Sequence, residues 1–226
     1  ATAAVLGGAG LIVTTSGASA QSCDEVGTGT GVYTCSGTIT AKNGGKDLNA
    51  NPLSVTILEG TKVNVTSGDA FNLSSRTGIT FTSNGPNVTI TGRDDGIKAT
   101  NNGTGALSIT TTGDTEGTNM FGIIAINGSD EDPAGTDLTI NAVTTKGGYY
   151  GIVARNYGTG ALSITTTGTT TGTKYDGIFA INEGTSLTIN AATTTGGRYG
   201  IYAKNRGTGA LSITTTGTTT GGTKDG

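Results

Sequence analysis

The chain is predicted to be all-β, a parallel β-helix (β-solenoid) of about 24–25 residues per coil. Three observations lead there. Gly158 to Asn182 reads GTGALSITTTGTTTGTKYDGIFAIN, and Gly207 starts the same text again 49 residues later. A fixed period of that size marks one supersecondary unit that must stack on its neighbours to bury its apolar side. Two short apolar signatures, Leu-x-Ile and Gly-Ile-x-Ala-x-Asn, alternate along the chain, each with the two-residue period of a strand. No 3.6-residue stripe accompanies them, and β-branched residues and the 41 glycines oppose helix.

The first 20 residues read as a secretory signal. An apolar run from Val5 to Val13 is followed by small polar residues ending in Ala18-Ser19-Ala20, the pattern of a cleavage site. The run is too short to span a bilayer as a helix; a buried apolar strand is the alternative. No Met or basic segment precedes it, so the chain is expected to begin inside a longer precursor. Residues 21–52 are expected to form a cap shielding the edge of the first coil. Within it lie the only cysteines, Cys23 and Cys35, which in an oxidising compartment most simply form one local disulfide. Their spacing is not the Cys-x-x-Cys of a redox pair, and two thiols without any His do not make a metal site.

Residues 53–226 form the repeats. Irregular early strands are expected at Val55-Thr56-Ile57, Val63-Asn64-Val65, Ile79-Thr80-Phe81 and Val88-Thr89-Ile90. Leu-x-Ile then recurs at Leu107, Leu138, Leu162, Leu187 and Leu211, and the second signature starts at Gly96, Gly122, Gly151, Gly177 and Gly200. The longest offsets share one cause, an insertion around Ser129 to Ala134. Thr- and Gly-rich segments between the signatures suit a third short strand or a bent corner. The Asn that closes the second signature recurs as Asn101, Asn127, Asn156, Asn182 and Asn205, and the reading is a structural ladder inside a corner, with ligand binding as the alternative. Lys224-Asp225-Gly226 aligns with Tyr175-Asp176-Gly177, so the natural protein is expected to continue past a coil cut in mid-turn.

An export signal, a paired-Cys segment and Gly/Thr/Asn-rich coils together resemble the passenger domains of bacterial autotransporters, in particular the AIDA-like adhesins of type V secretion. The resemblance is architectural and covers the chain after Gln21. It implies a right-handed β-helix carried to the outer surface by a C-terminal outer-membrane β-barrel of the same precursor. This chain has no series of ten-residue amphipathic strands that would build such a barrel. It also implies adhesion, self-association or biofilm formation, with host-cell or sister-cell surface molecules as partners, no cofactor and no catalysis.

If Ile and Ala of the second signature point inward, one outward column is Lys98, Ile124, Val153, Phe179 and Tyr202. The other is Thr100, Ile126, Arg155, Ile181 and Lys204; before the glycines come Asp95, Phe121, Tyr150, Asp176 and Tyr199. The candidate binding face is therefore Phe121, Tyr150, Arg155, Phe179, Tyr199, Tyr202 and Lys204, a mixture enriched at interfaces. The same columns also fit plain cross-strand ladders.

Other classes fare worse. A net charge of −3 disfavours nucleic acid, and the absence of His removes the commonest general base. The cluster Asp130-Glu131-Asp132 lacks the ligand spacing of a Ca²⁺ loop and reads as a solvated turn. A polysaccharide-cleaving β-helix needs two carboxylates close together. Of Asp94, Asp95, Asp114, Glu116, Asp176 and Glu183, the equivalent Asp95 and Asp176 stand three rungs apart, roughly 14 Å. Ice binding by the Thr-dense runs 165–171 and 214–220 requires a flat lattice, which interrupting glycines and unequal coils spoil.

Overall fold

A computed structural model describes residues 22–129, 131 and 133–222. The expected signal, the acidic residues Asp130 and Asp132 and the terminal Lys224-Asp225-Gly226 lie outside the described residues. The chain winds into a parallel β-solenoid of about seven turns.

Strand β1 (Ser22–Glu25) runs antiparallel to β2 (Val32–Ser36), and β3 (Thr38–Ile39) follows before a short 3-10 turn at Lys42–Gly45. The next coils repeat three strands each: β4 (Leu53–Ile57), β5 (Lys62–Val65) and β6 (Phe71–Ser75), then β7 (Ile79–Ser83), β8 (Thr89–Gly92) and β9 (Ile97–Asn101). After them come β10 (Gly105–Thr110), β11 (Asp114–Gly117) and β12 (Phe121–Asn127), then β13 (Gly135–Ala142), β14 (Thr144–Gly147) and β15 (Tyr150–Asn156). In the last coils the first two strands fuse across their corner: β16 (Leu162–Gly172) with β17 (Ile178–Asn182), and β18 (Leu187–Gly196) with β19 (Ile201–Asn205). The described chain closes with β20 (Leu211–Thr215) and β21 (Thr219–Gly221).

Each strand pairs in parallel with its counterpart one coil away, so like residues stack in columns on three faces. The first face stacks Leu53, Ile79, Leu107, Leu138, Leu162 and Leu187, with Val55, Phe81, Ile109, Ile140, Ile164 and Ile189 two residues on. All are buried, because alternation sends every second side chain into the shared core. The third face does the same with Ile97, Ile123, Ile152 and Ile178 and with Ala99, Ala125, Ala154 and Ala180.

The second face holds the surprise. Its inward column begins Ile39, Val63, Ile90 and continues Thr115, Thr145, Thr170, Thr194. Threonine has the shape of valine, so packing is kept while a hydroxyl enters the core. The hydroxyls of Thr115, Thr145 and Thr170 find no hydrogen-bond partner among the described residues. Each such group costs about 1–3 kcal/mol of desolvation. The Thr-dense run 165–171 is thus split, with Thr166 and Thr170 buried and Thr167 and Thr169 facing out.

Within residues 22–52, β2 and β3 already pair in parallel with β4 and β5, and only β1 lies antiparallel across the open edge of β2. Cys23 and Cys35 are register partners in that pair and are joined by a disulfide, both fully buried. Gly44, with φ +62°, backs directly onto it: a Cβ there would lie 2.6 Å from the Cys23 sulfur.

Corners between the second and third faces depend on close backbone approach. A Cβ on Gly122 would meet the Gly151 carbonyl at 2.7 Å, and one on Gly151 the Gly177 carbonyl at 2.5 Å. Between the third and first faces the Asn column closes the turn. Asn101 Nδ2 donates to Asn127 Oδ1 (2.8 Å), Asn127 to Asn156 (3.0 Å), Asn156 to Asn182 (3.0 Å) and Asn182 to Asn205 (2.9 Å). Each amide also ties its own corner: Asn101 donates to the Thr104 carbonyl, Asn156 to that of Gly160 and Asn182 to those of Thr185 and Ser186. At the insertion, Asn127 instead reaches Thr136 and Asp137, and the ladder stays continuous across it.

Candidate interaction face

The third face is one six-stranded parallel sheet, β6-β9-β12-β15-β17-β19. Its outward columns are Lys98, Ile124, Val153, Phe179, Tyr202 and Thr100, Ile126, Arg155, Ile181, Lys204. Burial of Ile and Ala on the inner side leaves the outward columns, which begin at Asn72 and Ser74 on β6, to meet a partner, although Val153 among them is itself buried. Phe121 and Tyr150 pair at the leading edge, and Tyr199 stands in the same corner column.

The rings form a continuous cluster. Phe121 lies 5.6 Å from Tyr150, which lies 5.8 Å from Phe179; Phe179 and Tyr202 are parallel to within 6° at 5.1 Å. Two tyrosines outside the sequence-derived set extend it. Tyr175 stacks on Tyr150 at 5.1 Å and touches Tyr149 at 5.5 Å. Tyr149, Tyr175 and Arg198 form a further column two residues before the signature glycines, linked by backbone hydrogen bonds from coil to coil. That recurrence was visible in the sequence, since each sits at a constant offset from Gly151, Gly177 and Gly200. Of the 11 Phe and Tyr residues in the chain, only Tyr33, Phe71 and Phe81 lie away from this region. A groove of about 260 Å³ opens between Phe121, Ile124, Tyr150, Val153, Arg155 and Phe179.

Cations are interleaved with the rings. The Arg155 guanidinium lies 5.3 Å over Phe179 and donates to the Tyr157 hydroxyl (3.3 Å). Lys174 Nζ sits 4.5 Å over Tyr149. Neither of these, nor exposed Lys204, is ion-paired to a carboxylate among the described residues. Arg198 differs: its Nε and a terminal nitrogen grip fully buried Asp176 at 2.9 and 2.8 Å while its plane lies 5.1 Å over Tyr199.

The corner carboxylates serve the backbone. Asp69 accepts from the Asp95 N–H (3.2 Å), Asp95 from the Phe121 N–H (3.0 Å) and Asp176 from the Tyr199 N–H (3.2 Å). Phe121 and Tyr150 do occupy the corner positions between Asp95 and Asp176. Burial of Asp95, which is 5% exposed, pushes its carboxyl from 3.8 up to about 6. The Phe121 N–H and Lys98 pull the other way, while the Asp69 and Asp94 carboxylates add to the rise. Because the folded value exceeds the unfolded one, the ionised group costs stability above about pH 6, and the cost fades as pH falls toward 4. Asp95→Asn is expected to stabilise the protein by on the order of 2 kcal/mol at about pH 8 and by almost nothing near pH 4. Denaturant unfolding at the two pH values checks this.

Comparison with protein-family models, with curated proteins and with solved structures finds no match for the chain.

Proposed function

We propose that the protein is a surface-exposed passenger of the autotransporter kind, a non-catalytic stalk whose third face makes adhesive or self-associating contacts with host-cell or sister-cell surfaces. The observation that carries this reading is the concentration of rings on one sheet of the solenoid, beside Arg155 and Lys204, which have no carboxylate partner among the described residues. A plain cross-strand ladder has no need of so many rings gathered along one edge of one sheet. The parallel solenoid is the architecture that such passengers use. The buried Cys23–Cys35 disulfide supports an oxidising compartment. Aromatic residues and Arg are the side chains most often found at the energetic centre of interfaces.

Cells displaying the protein are expected to adhere to one another or to host cells. Replacing Tyr150, Phe179, Tyr199 and Tyr202 with Ser should lower adhesion about tenfold or more while surface display, read by antibody, is retained. Adhesion unchanged at equal display would remove the reading.

A further inference from the structure

We propose that the third face binds an anionic polysaccharide laid along the solenoid axis, with a carboxylate on alternate sugars. The inference rests on reading this face as the contact surface and names what it contacts.

The first argument is periodicity. The rungs of the face recur at a fixed spacing coil after coil, so a polymer with a matching repeat can lie along them. Successive rungs advance by about 4.8 Å, comparable to the advance of one pyranose in an extended chain. One sugar therefore spans one coil. In the column Arg155, Ile181, Lys204 the two cations are separated by one uncharged rung. They stand two rungs apart, roughly 10 Å along the axis. A carboxylate on every second sugar meets a cation each time, and the intervening neutral sugar meets Ile181.

The second argument is the chemistry of the neighbouring column. Val153, Phe179 and Tyr202 lie beside those cations, and Tyr150 and Tyr175 border them. The C–H faces of a pyranose carry partial positive charge and pack on the negative π-face of a ring. Phe179 and Tyr202 lie parallel to within 6° at 5.1 Å in consecutive rungs, a ladder of rings along the axis. The phenol hydroxyls of Tyr150, Tyr175 and Tyr202 supply donors and acceptors for sugar hydroxyls. Arg155 is already held over Phe179 and by the Tyr157 hydroxyl, so little side-chain entropy is lost when it pairs with a carboxylate.

Charge complementarity selects among polymers. The chain carries a net charge of −3, yet the cations here lack carboxylate partners among the described residues. A nucleic acid, with a phosphate on every nucleotide, carries more charge than the two column cations Arg155 and Lys204 can match. A neutral glycan leaves them unused.

The test is retardation of the purified protein in native gels containing hyaluronate, whose uronic acid alternates with a neutral sugar. Polygalacturonate, dextran and oligothymidylate serve as comparison polymers. Retardation is expected with hyaluronate, weaker with dextran and oligothymidylate, and reduced on raising salt to about 0.5 M. Arg155→Ala and Lys204→Gln should each weaken hyaluronate binding about tenfold, with circular dichroism unchanged. Lys146→Ala, on the second face and paired with Glu116, should have no effect. Equal retardation by dextran, stronger retardation by oligothymidylate or polygalacturonate, or indifference to both cation variants would overturn the inference. Adhesion that needs the aromatic residues without any hyaluronate binding would sink this inference and leave the adhesive reading standing. Hyaluronate binding without cell adhesion would do the reverse.

Discussion

Replacing Arg198 with Ala is expected to destabilise the protein by on the order of 3 kcal/mol and to lower the thermal midpoint of its coil by roughly 10 °C. Asp176 is fully buried and takes three hydrogen bonds, two of them from the Arg198 guanidinium. Without that partner a carboxylate stays in the corner with a single N–H donor, from Tyr199. The cost is uncompensated burial of charge, which exceeds the net worth of the ion pair itself. The guanidinium is about one-third exposed, which keeps the estimate at the low end of the range for buried pairs. A double-mutant cycle separates the two. Asp176→Asn together with Arg198→Ala should recover most of the loss, because an amide in the corner still accepts from Tyr199 and carries no charge. Failure of the double variant to recover stability would mean that Arg198 acts mainly by covering Tyr175 and Tyr199.

Asn156→Ala is expected to cost about 3 kcal/mol by the same measurement. Asn156 is 1% exposed, accepts from Asn127 and donates both to Asn182 and to the Gly160 carbonyl. Alanine removes all three bonds and orphans the Asn182 side-chain oxygen, while the Gly160 carbonyl keeps the Thr185 N–H. Leucine at the same place should not rescue, because the lost term is polar and not volume. Asn205→Ala offers the internal contrast. Asn205 is the last Asn of the described ladder and donates only to backbone carbonyls, so about 1 kcal/mol should be lost in this 226-residue chain.

The solenoid was legible because its period and its alternation agree. Leu107-Ser108-Ile109 and its repeats can only bury Leu and Ile together in a strand, and a 24-residue recurrence can only bring strands together by stacking coils. The Asn column was legible for a chemical reason: a carboxamide is donor and acceptor at once, so identical residues can bond in series without charge. The composition of the third face followed from the same alternation.

What escaped lies where residues act across coils. Arg198 and Asp176 are 22 positions apart, and Arg198 belongs to no signature, so their pairing exists only once the winding is known. Tyr149 and Tyr175 stand two residues before the signature glycines, in a column that neither apolar signature marks. The inward threonines were hidden by a strand that bends. In β16 the register shifts between Thr166 and Thr169, so simple alternation along the run cannot say which hydroxyls face the core.

The glycine corners and the Asn column carry a consequence for inheritance. Because the Leu-x-Ile and Ile-x-Ala columns pass from coil to coil with like residues paired, a 49-residue block can follow another without breaking them. Unequal crossing-over between near-identical stretches of the gene would add or delete two coils at a stroke and leave no interrupted column. Each event would change the reach of the stalk by about 10 Å, so its length is free to drift under selection while the packing rules stay constant.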